Sequence, residues 1–210
     1  MKKTIAALFW FVLALLGAAA YATIALRREL LDELIARVGA LGPICDMGCG
    51  PGEVARYLKD HGVETLGIDL SPQMAALAGR LSPDISFQPG NMLALDVPEA
   101  SWGGIAAFYS IIHIPRPRVT EALAELRRAL KPGGWLLVTF HIGDQVEQVR
   151  DMWGTPVALD FTFFQPEEMT SYLREAGFEA IEINVREPYP QVEFQSRRAY
   201  IFARKAENEN

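Results

Sequence analysis

Asp46-Met47-Gly48-Cys49-Gly50-Pro51-Gly52-Glu53 decides the fold of this chain. The run follows a short apolar segment, Pro43-Ile44-Cys45, and precedes a helical pattern, Val54-Ala55-Arg56-Tyr57-Leu58. A buried strand, a glycine turn and a helix start in that order make a nucleotide-type site. Asp69 then ends the next apolar run, Thr65-Leu66-Gly67-Ile68. An acid at that place can accept hydrogen bonds from both ribose hydroxyls of a nucleoside.

Working outward, helical and strand periods alternate. Leu30, Leu31, Leu34, Ile35 and Val38 recur at helical spacing in a helix predicted over Arg28 to Leu41, which Gly39 and Gly42-Pro43 stop. Strands are predicted at Ile44 to Met47, Val63 to Asp69, Ile85 to Gln88, Gly104 to Tyr109 and Trp135 to Phe140. Helices fall between them at Gly52 to Asp60, Gln73 to Leu81 and Val119 to Leu130, the second opened by Ser71-Pro72 as N-cap and first-turn proline. This alternation implies right-handed crossovers and a parallel sheet. After a helix at Glu167 to Ala176, strands at Phe178 to Val185 and Arg198 to Ala203 have no room for a crossover helix between them. They read as an antiparallel hairpin added to the sheet.

A chain of 210 residues, half of them hydrophobic, builds one domain with a sizeable core. Its net charge of −6 argues against a nucleic-acid surface. Cys45 and Cys49, the two cysteines, match neither a zinc pattern nor a redox Cys-x-x-Cys; they read as a small buried residue and a turn residue. No metal site is expected. The residues from Ile5 to Leu26 carry no charge and are long enough to span a bilayer as a helix. Three fates fit such a segment: an uncleaved anchor, a signal peptide cut at Ala20-Tyr21-Ala22, or an apolar helix packed on the domain. The expected division is 1–26 as this segment, 27–205 as the domain and 206–210 as a polar tail.

From about Arg37 to Lys205 the chain resembles the class I S-adenosylmethionine-dependent methyltransferases, closest to the small bacterial group with a methyltransferase-11 or -25 type domain. Four pieces carry the likeness in order: Cys45 to Gly52, Leu66 to Ser71 with Met74 following, Gly90-Asn91-Met92, and Leu130-Lys131-Pro132-Gly133-Gly134. The resemblance implies an α/β, Rossmann-like doubly wound sheet of seven mostly parallel strands with an antiparallel C-terminal hairpin, order 3-2-1-4-5-7-6. It implies S-adenosyl-L-methionine as cofactor, S-adenosyl-L-homocysteine as product, and a small-molecule methyl acceptor. The cofactor's methionine part would lie over Gly48, Cys49, Gly50 and Gly52, with Asp46 near its amino group. Asp69 would hold the ribose, Met92 would cover the ring, Leu70 and Met74 would belong to the cofactor site, and Asn91, where the family commonly has Asp, would meet the adenine amine. Tyr109 and His113, after strand four, would shape the methyl channel and act as base, with Ser110 beside them. His141, Trp153 and Phe164 are candidate substrate residues, and the aromatic segment they share with Phe161 and Phe163 suggests an apolar or planar acceptor.

The family usually places polar, tyrosine-bearing helices before the first strand as a lid. Here the apolar segment stands there, and Tyr21 is the only tyrosine before the first motif. A nucleoside cofactor is cytosolic, which ranks anchoring above cleavage and puts the catalytic domain at the inner face of a membrane. A catalytically silent methyltransferase fold acting as a scaffold is the alternative. A nicotinamide oxidoreductase is disfavoured, because Glu53 stands where the dinucleotide turn needs its third glycine.

Overall fold

The computed structural model describes residues 28–152, 155–190 and 194–207. Among these, no helix is long and apolar enough to cross a membrane; the Ile5 to Leu26 segment lies outside them. The fold is a seven-stranded sheet in the order β3-β2-β1-β4-β5-β9-β8, with a separate two-stranded sheet. Its strands are β1 (Ile44–Met47), β2 (Thr65–Asp69), β3 (Ser86–Pro89), β4 (Trp102–Phe108), β5 (Leu130–His141), β8 (Phe178–Arg186) and β9 (Arg198–Lys205). The five strands β1 to β5 pair in parallel, while β9 pairs antiparallel with both β5 and β8. Counting only this sheet, the order is the expected 3-2-1-4-5-7-6.

Burial explains the composition of the central strands. Every residue of β1 and β4 is buried, since both faces of a parallel sheet are covered by helices. Helices α1 (Arg28–Val38) and α2 (Glu53–Asp60) cover one face, where Leu31, Leu34, Val38 and Leu58 meet Ile44, Phe108, Leu137 and Phe202. Helices α4 (Val119–Ala129) and α5 (Pro166–Glu175) cover the other through Leu123, Leu126, Met169 and Leu173. Helix α3 (Pro72–Leu81) lies against β2 and β3, capped by the Ser71 hydroxyl, which accepts from the Met74 N–H at 3.3 Å.

Electrostatic contacts fasten the periphery. Arg37 of α1 donates to both carboxylate oxygens of Glu182 on β8, at 3.0 and 2.6 Å, and its guanidinium lies 4.5 Å over the Trp135 ring. The Arg37 hydrogen bonds hold the Glu182 carboxyl below the usual carboxylate range. Lys131, in the turn opening β5, reaches the Leu41 carbonyl at 2.8 Å and ties the α1–β1 connection to the sheet. Glu207, expected in a solvated tail, pairs with Arg204.

One element was not foreseen. Between β5 and α5 the chain forms β6 (Val146–Met152) and β7 (Thr155–Thr162), paired antiparallel with Glu147 opposite Phe161 and Val149 opposite Leu159. The alternation Val157, Leu159, Phe161 was the available signal, but Glu147, Arg150 and Asp151 break the matching pattern in β6. An isolated two-stranded ribbon is marginal in water. This one is held against the 3₁₀ turn Ile111–His113, where His113 donates Nδ1–H to the Asp160 carbonyl at 3.1 Å and meets the Phe161 ring edge-on at 4.8 Å.

Leu34 is fully buried where α1 meets the sheet. Leu34→Ala is expected to lower stability by about 2–5 kcal/mol, read as a shift of the urea unfolding midpoint without a change of slope.

Candidate active site

Parallel strands end together, and the loops that leave their C-terminal ends build a crevice. Here that crevice is a cavity of about 580 Å³ at the ends of β1, β2 and β4. The glycine turn forms its floor. The N–H groups of Gly48 and Cys49 both donate to the Ile68 carbonyl, at 2.7 and 3.0 Å, which sews the turn to β2. Gly48 packs so closely on the loop after β4 that a Cβ would stand 2.3 Å from the Ser110 Cβ.

Asp69 sits between two loops. One carboxylate oxygen accepts the Gly50 N–H at 2.8 Å and the other accepts the Ser71 N–H at 2.8 Å. Each oxygen keeps lone-pair capacity for a further donor. Beside it, Leu70 and Met74 line the cavity while remaining 72 % and 44 % exposed. Large apolar side chains left in water at a cavity mouth mark a surface that a ligand covers.

Of the residues singled out from sequence, the cavity gathers Gly48, Gly50, Asp69, Leu70, Met74, Asn91, Met92, Tyr109 and His113. Asn91 spends its side-chain carbonyl on the Leu93 N–H at 3.0 Å, stabilising its own turn. Tyr109 is held at φ +49, the left-handed region, with its N–H donated to the buried Thr139 hydroxyl at 3.0 Å. Such strain in a non-glycine residue persists only where the surroundings enforce it, and it clusters at functional sites. The neighbouring Ser110 lines the cavity, and its buried hydroxyl has no hydrogen-bond partner among the described residues. A buried polar atom in that condition costs stability unless something supplies the bond. At His113, a carbonyl can only accept, so Nδ1 carries the proton and Nε2 of the neutral ring is the basic nitrogen.

Several expected residues stand elsewhere. Asp46 is buried behind the turn, where it accepts the Ala55 N–H at 3.0 Å and so anchors the first turn of α2 to β1. Cys49 shares a small cleft with Asp46, of about 170 Å³. Burial first, then the Asp46 and Asp69 charges, push its thiol up, so it stays protonated. Gly52 faces away from the cavity: a Cβ there would lie 2.7 Å from the Phe87 ring. Phe164 is fully buried, edge-on to Phe140 at 5.9 Å, and is a core residue, not a substrate contact. Trp153 lies outside the described residues. Arg198, which opens β9, is buried and donates to the carbonyls of Ser196 and Phe194.

His141 belongs to a second cavity of about 280 Å³ with Glu147, Phe161, Phe163 and Phe194. Its ring lies 4.9 Å from that of Tyr109, so one layer of rings separates the two cavities. Sequence reasoning missed Glu147, Leu159, Phe194 and Ser196, because they reach the site on the β6–β7 ribbon and the β8–β9 connection. Leu159, in the main cavity wall, carried a signal in the strand alternation of β7.

Residues 44–134 match the model of a methyltransferase domain family. Together with the strand order and the glycine turn, this match supports a class I S-adenosylmethionine-dependent methyltransferase domain over those residues. It is 32 % identical over 134 residues to a malonyl-[acyl-carrier protein] O-methyltransferase of Enterobacter lignolyticus, covering 61 % of this chain and 51 % of that protein. The chain thus spans about half the length of the curated relatives it matches. Among solved structures, it superposes on a SAM-dependent methyltransferase from Methanosarcina mazei with TM-score 0.69 at 20 % identity, covering 78 % of this chain and 92 % of that one. A 1,6-didemethyltoxoflavin-N1-methyltransferase from Burkholderia thailandensis, with S-adenosylhomocysteine bound, gives TM-score 0.68 at 22 % identity, covering 90 % and 82 %. Likeness at these identities establishes the shared fold.

The two glycines separate fold from ligand. A Cβ on Gly50 meets nothing within 4 Å, whereas one on Gly52 enters the Phe87 ring. Both have positive φ, so each alanine carries a strain of about 1–2 kcal/mol. Gly50→Ala is expected to keep the fold at that cost and to obstruct ligand binding. Gly52→Ala is expected to lower the melting temperature further. Thermal unfolding and calorimetric titration on both variants read the contrast.

Proposed function

We propose that this chain is an S-adenosylmethionine-dependent methyltransferase acting on a small-molecule acceptor. The observation that carries the reading is the main cavity: a carboxylate fixed by two backbone N–H groups, a buried hydroxyl lacking a partner, and exposed apolar side chains around one space. These groups fit the proposed cofactor part by part. Asp69 accepts from the ribose hydroxyls with its remaining lone pairs. Leu70, Met74 and Met92 cover the faces of the base, and Asn91 meets its amino edge with the second lone pair of its side-chain carbonyl. Gly48 and Gly50 let the backbone approach the methionine part, and the Ser110 hydroxyl supplies a hydrogen bond there. Asp46 and Gly52 act through the turn, by fixing α2 behind it.

The bound cofactor supplies an electrophilic methyl group on a positively charged sulfur, which leaves as a neutral thioether. The protein therefore need not provide a nucleophile of its own. Holding two reactants in line is worth about 7–11 kcal/mol of barrier. Tyr109, fixed in its strained conformation, shapes the passage at the end of β4. His113 takes the proton from an acceptor that must lose one, through Nε2. The β6–β7 ribbon, packed on His113 and placing Leu159 in the cavity wall, excludes water in the place of the N-terminal lid. The apolar run Ile5 to Leu26 tethers the domain 27–205 to the cytosolic face of a membrane.

Calorimetry on the full chain in a non-ionic detergent tests the reading, with S-adenosylhomocysteine as ligand and NADH as control. Uptake of S-adenosylhomocysteine alone supports it; uptake of NADH alone would return the site to an oxidoreductase. Cofactor binding with no methylated product across a broad acceptor panel would favour a silent scaffold. Asp69→Ala is expected to weaken S-adenosylhomocysteine binding about tenfold to a hundredfold, since hydrogen bonds to a charged group are lost. His113→Asn, which keeps an N–H donor for the Asp160 carbonyl, should leave that affinity unchanged and lower kcat about a hundredfold.

A further inference from the structure

The second cavity has a composition of its own. Among the described residues its walls are His141 and three phenylalanines, Phe161, Phe163 and Phe194, with Val149 and one charged residue, Glu147. The rings are fixed relative to one another. His141 lies 5.3 Å from Phe163 and 5.7 Å from Phe194, centroid to centroid, and Phe163 meets Phe194 at 6.1 Å. The wall is built from three parts of the chain. The buried Arg198 guanidinium donates to the Phe194 carbonyl at 2.9 Å and the Ser196 carbonyl at 2.8 Å, which folds the β8–β9 connection over the end of β5. The Ser196 hydroxyl then meets His141 Nδ1 at 2.7 Å and sets the imidazole plane. Glu147 enters from β6, opposite Phe161.

Charge decides what such a space takes. Aromatic faces carry negative quadrupole potential and attract cations within about 6 Å. Glu147 adds a full negative charge and has no ion-pair partner among the described residues. The nearby arginines are engaged: Arg150 with Asp160 at 2.9 Å, Arg116 with Glu168 at 3.0 Å, and Arg198, behind the wall, with the Phe194 and Ser196 carbonyls. A carboxylate on an aromatic enclosure repels anions and gives a neutral donor a weaker hydrogen bond than it gives a cationic one. A cationic nitrogen on an apolar or aromatic frame satisfies both the carboxylate and the rings.

Position links the cavity to methyl transfer. Tyr109 lines the main cavity and stacks near His141 of the second, and His113 of the main cavity packs edge-on against Phe161 of the second. We propose that the Glu147–Phe161–Phe163–Phe194–His141 cavity is the acceptor subsite, and that it selects acceptors carrying a cationic nitrogen. This rests on the methyltransferase reading of the main cavity. A protonated nitrogen has no lone pair, so the held ammonium is an anchor. A different atom of the acceptor extends past Tyr109 as the nucleophile.

Benzylammonium, benzyl alcohol and benzoate present one ring with positive, neutral and negative charge. Titrated into the full chain in non-ionic detergent with S-adenosylhomocysteine present, benzylammonium is expected to bind about tenfold more tightly than the alcohol. Benzoate should be the weakest of the three. Glu147→Gln, an exposed substitution, should erase the advantage of the ammonium and leave the alcohol unchanged, while Phe194→Ala should weaken both. Equal binding of alcohol and ammonium, or a preference for the ammonium that survives in Glu147→Gln, overturns the proposal. S-adenosylhomocysteine affinity measured on the same samples separates the two readings. If the cofactor fails to bind while the ammonium preference tracks Glu147, the cavity assignment stands as a cation site and the methyltransferase reading falls.

Discussion

The carboxylate of Asp69 bridges the Gly50 and Ser71 N–H groups, and the site depends on that bridge. Strand β2 delivers the acid, the glycine turn after β1 offers one donor, and the start of α3 offers the other. Without a fixed acceptor between them, two loops at the ends of adjacent strands would close over the crevice or drift apart. With it, the turn stays open at Gly50 and tight at Gly48, where the Ser110 loop presses on it. The cavity is thus a consequence of two hydrogen bonds and one close backbone approach.

The sheet beneath supplies rigidity. Because β1 and β4 are buried on both faces, the ends of these strands have little freedom. Strain can therefore be stored at Tyr109, the first residue past β4, and held there by Thr139 of β5. The same framework explains why Asp46 matters without lining the main cavity. Its carboxylate fastens α2 to β1, and the glycine turn runs between those two elements.

The β6–β7 ribbon changes the character of the molecule. A two-stranded ribbon cannot hold itself in place, so its attachment through His113, Asp160 and Phe161 couples it to the site. It closes one side of the main cavity with Leu159 and one side of the aromatic cavity with Glu147 and Val149. A substitution on the ribbon therefore reaches both spaces.

Periodicity and turn chemistry are local, and they were legible in the sequence. The alternation of strand and helix, the glycine turn, the Ser71-Pro72 cap and the acid ending β2 gave the sheet order and most of the main cavity. Glycine spacing could not tell Gly50, which faces open space, from Gly52, which faces Phe87, because that difference depends on what another strand places nearby. Nor could residue type show that Asp46 and Phe164 are buried while the Ser110 hydroxyl has no partner among the described residues. The aromatic cavity joins β5, the β6–β7 ribbon and the β8–β9 connection, segments as distant as His141 and Ser196 in the chain. Only the packed tertiary structure brings such groups within reach, since each reads alone as an ordinary core or surface residue.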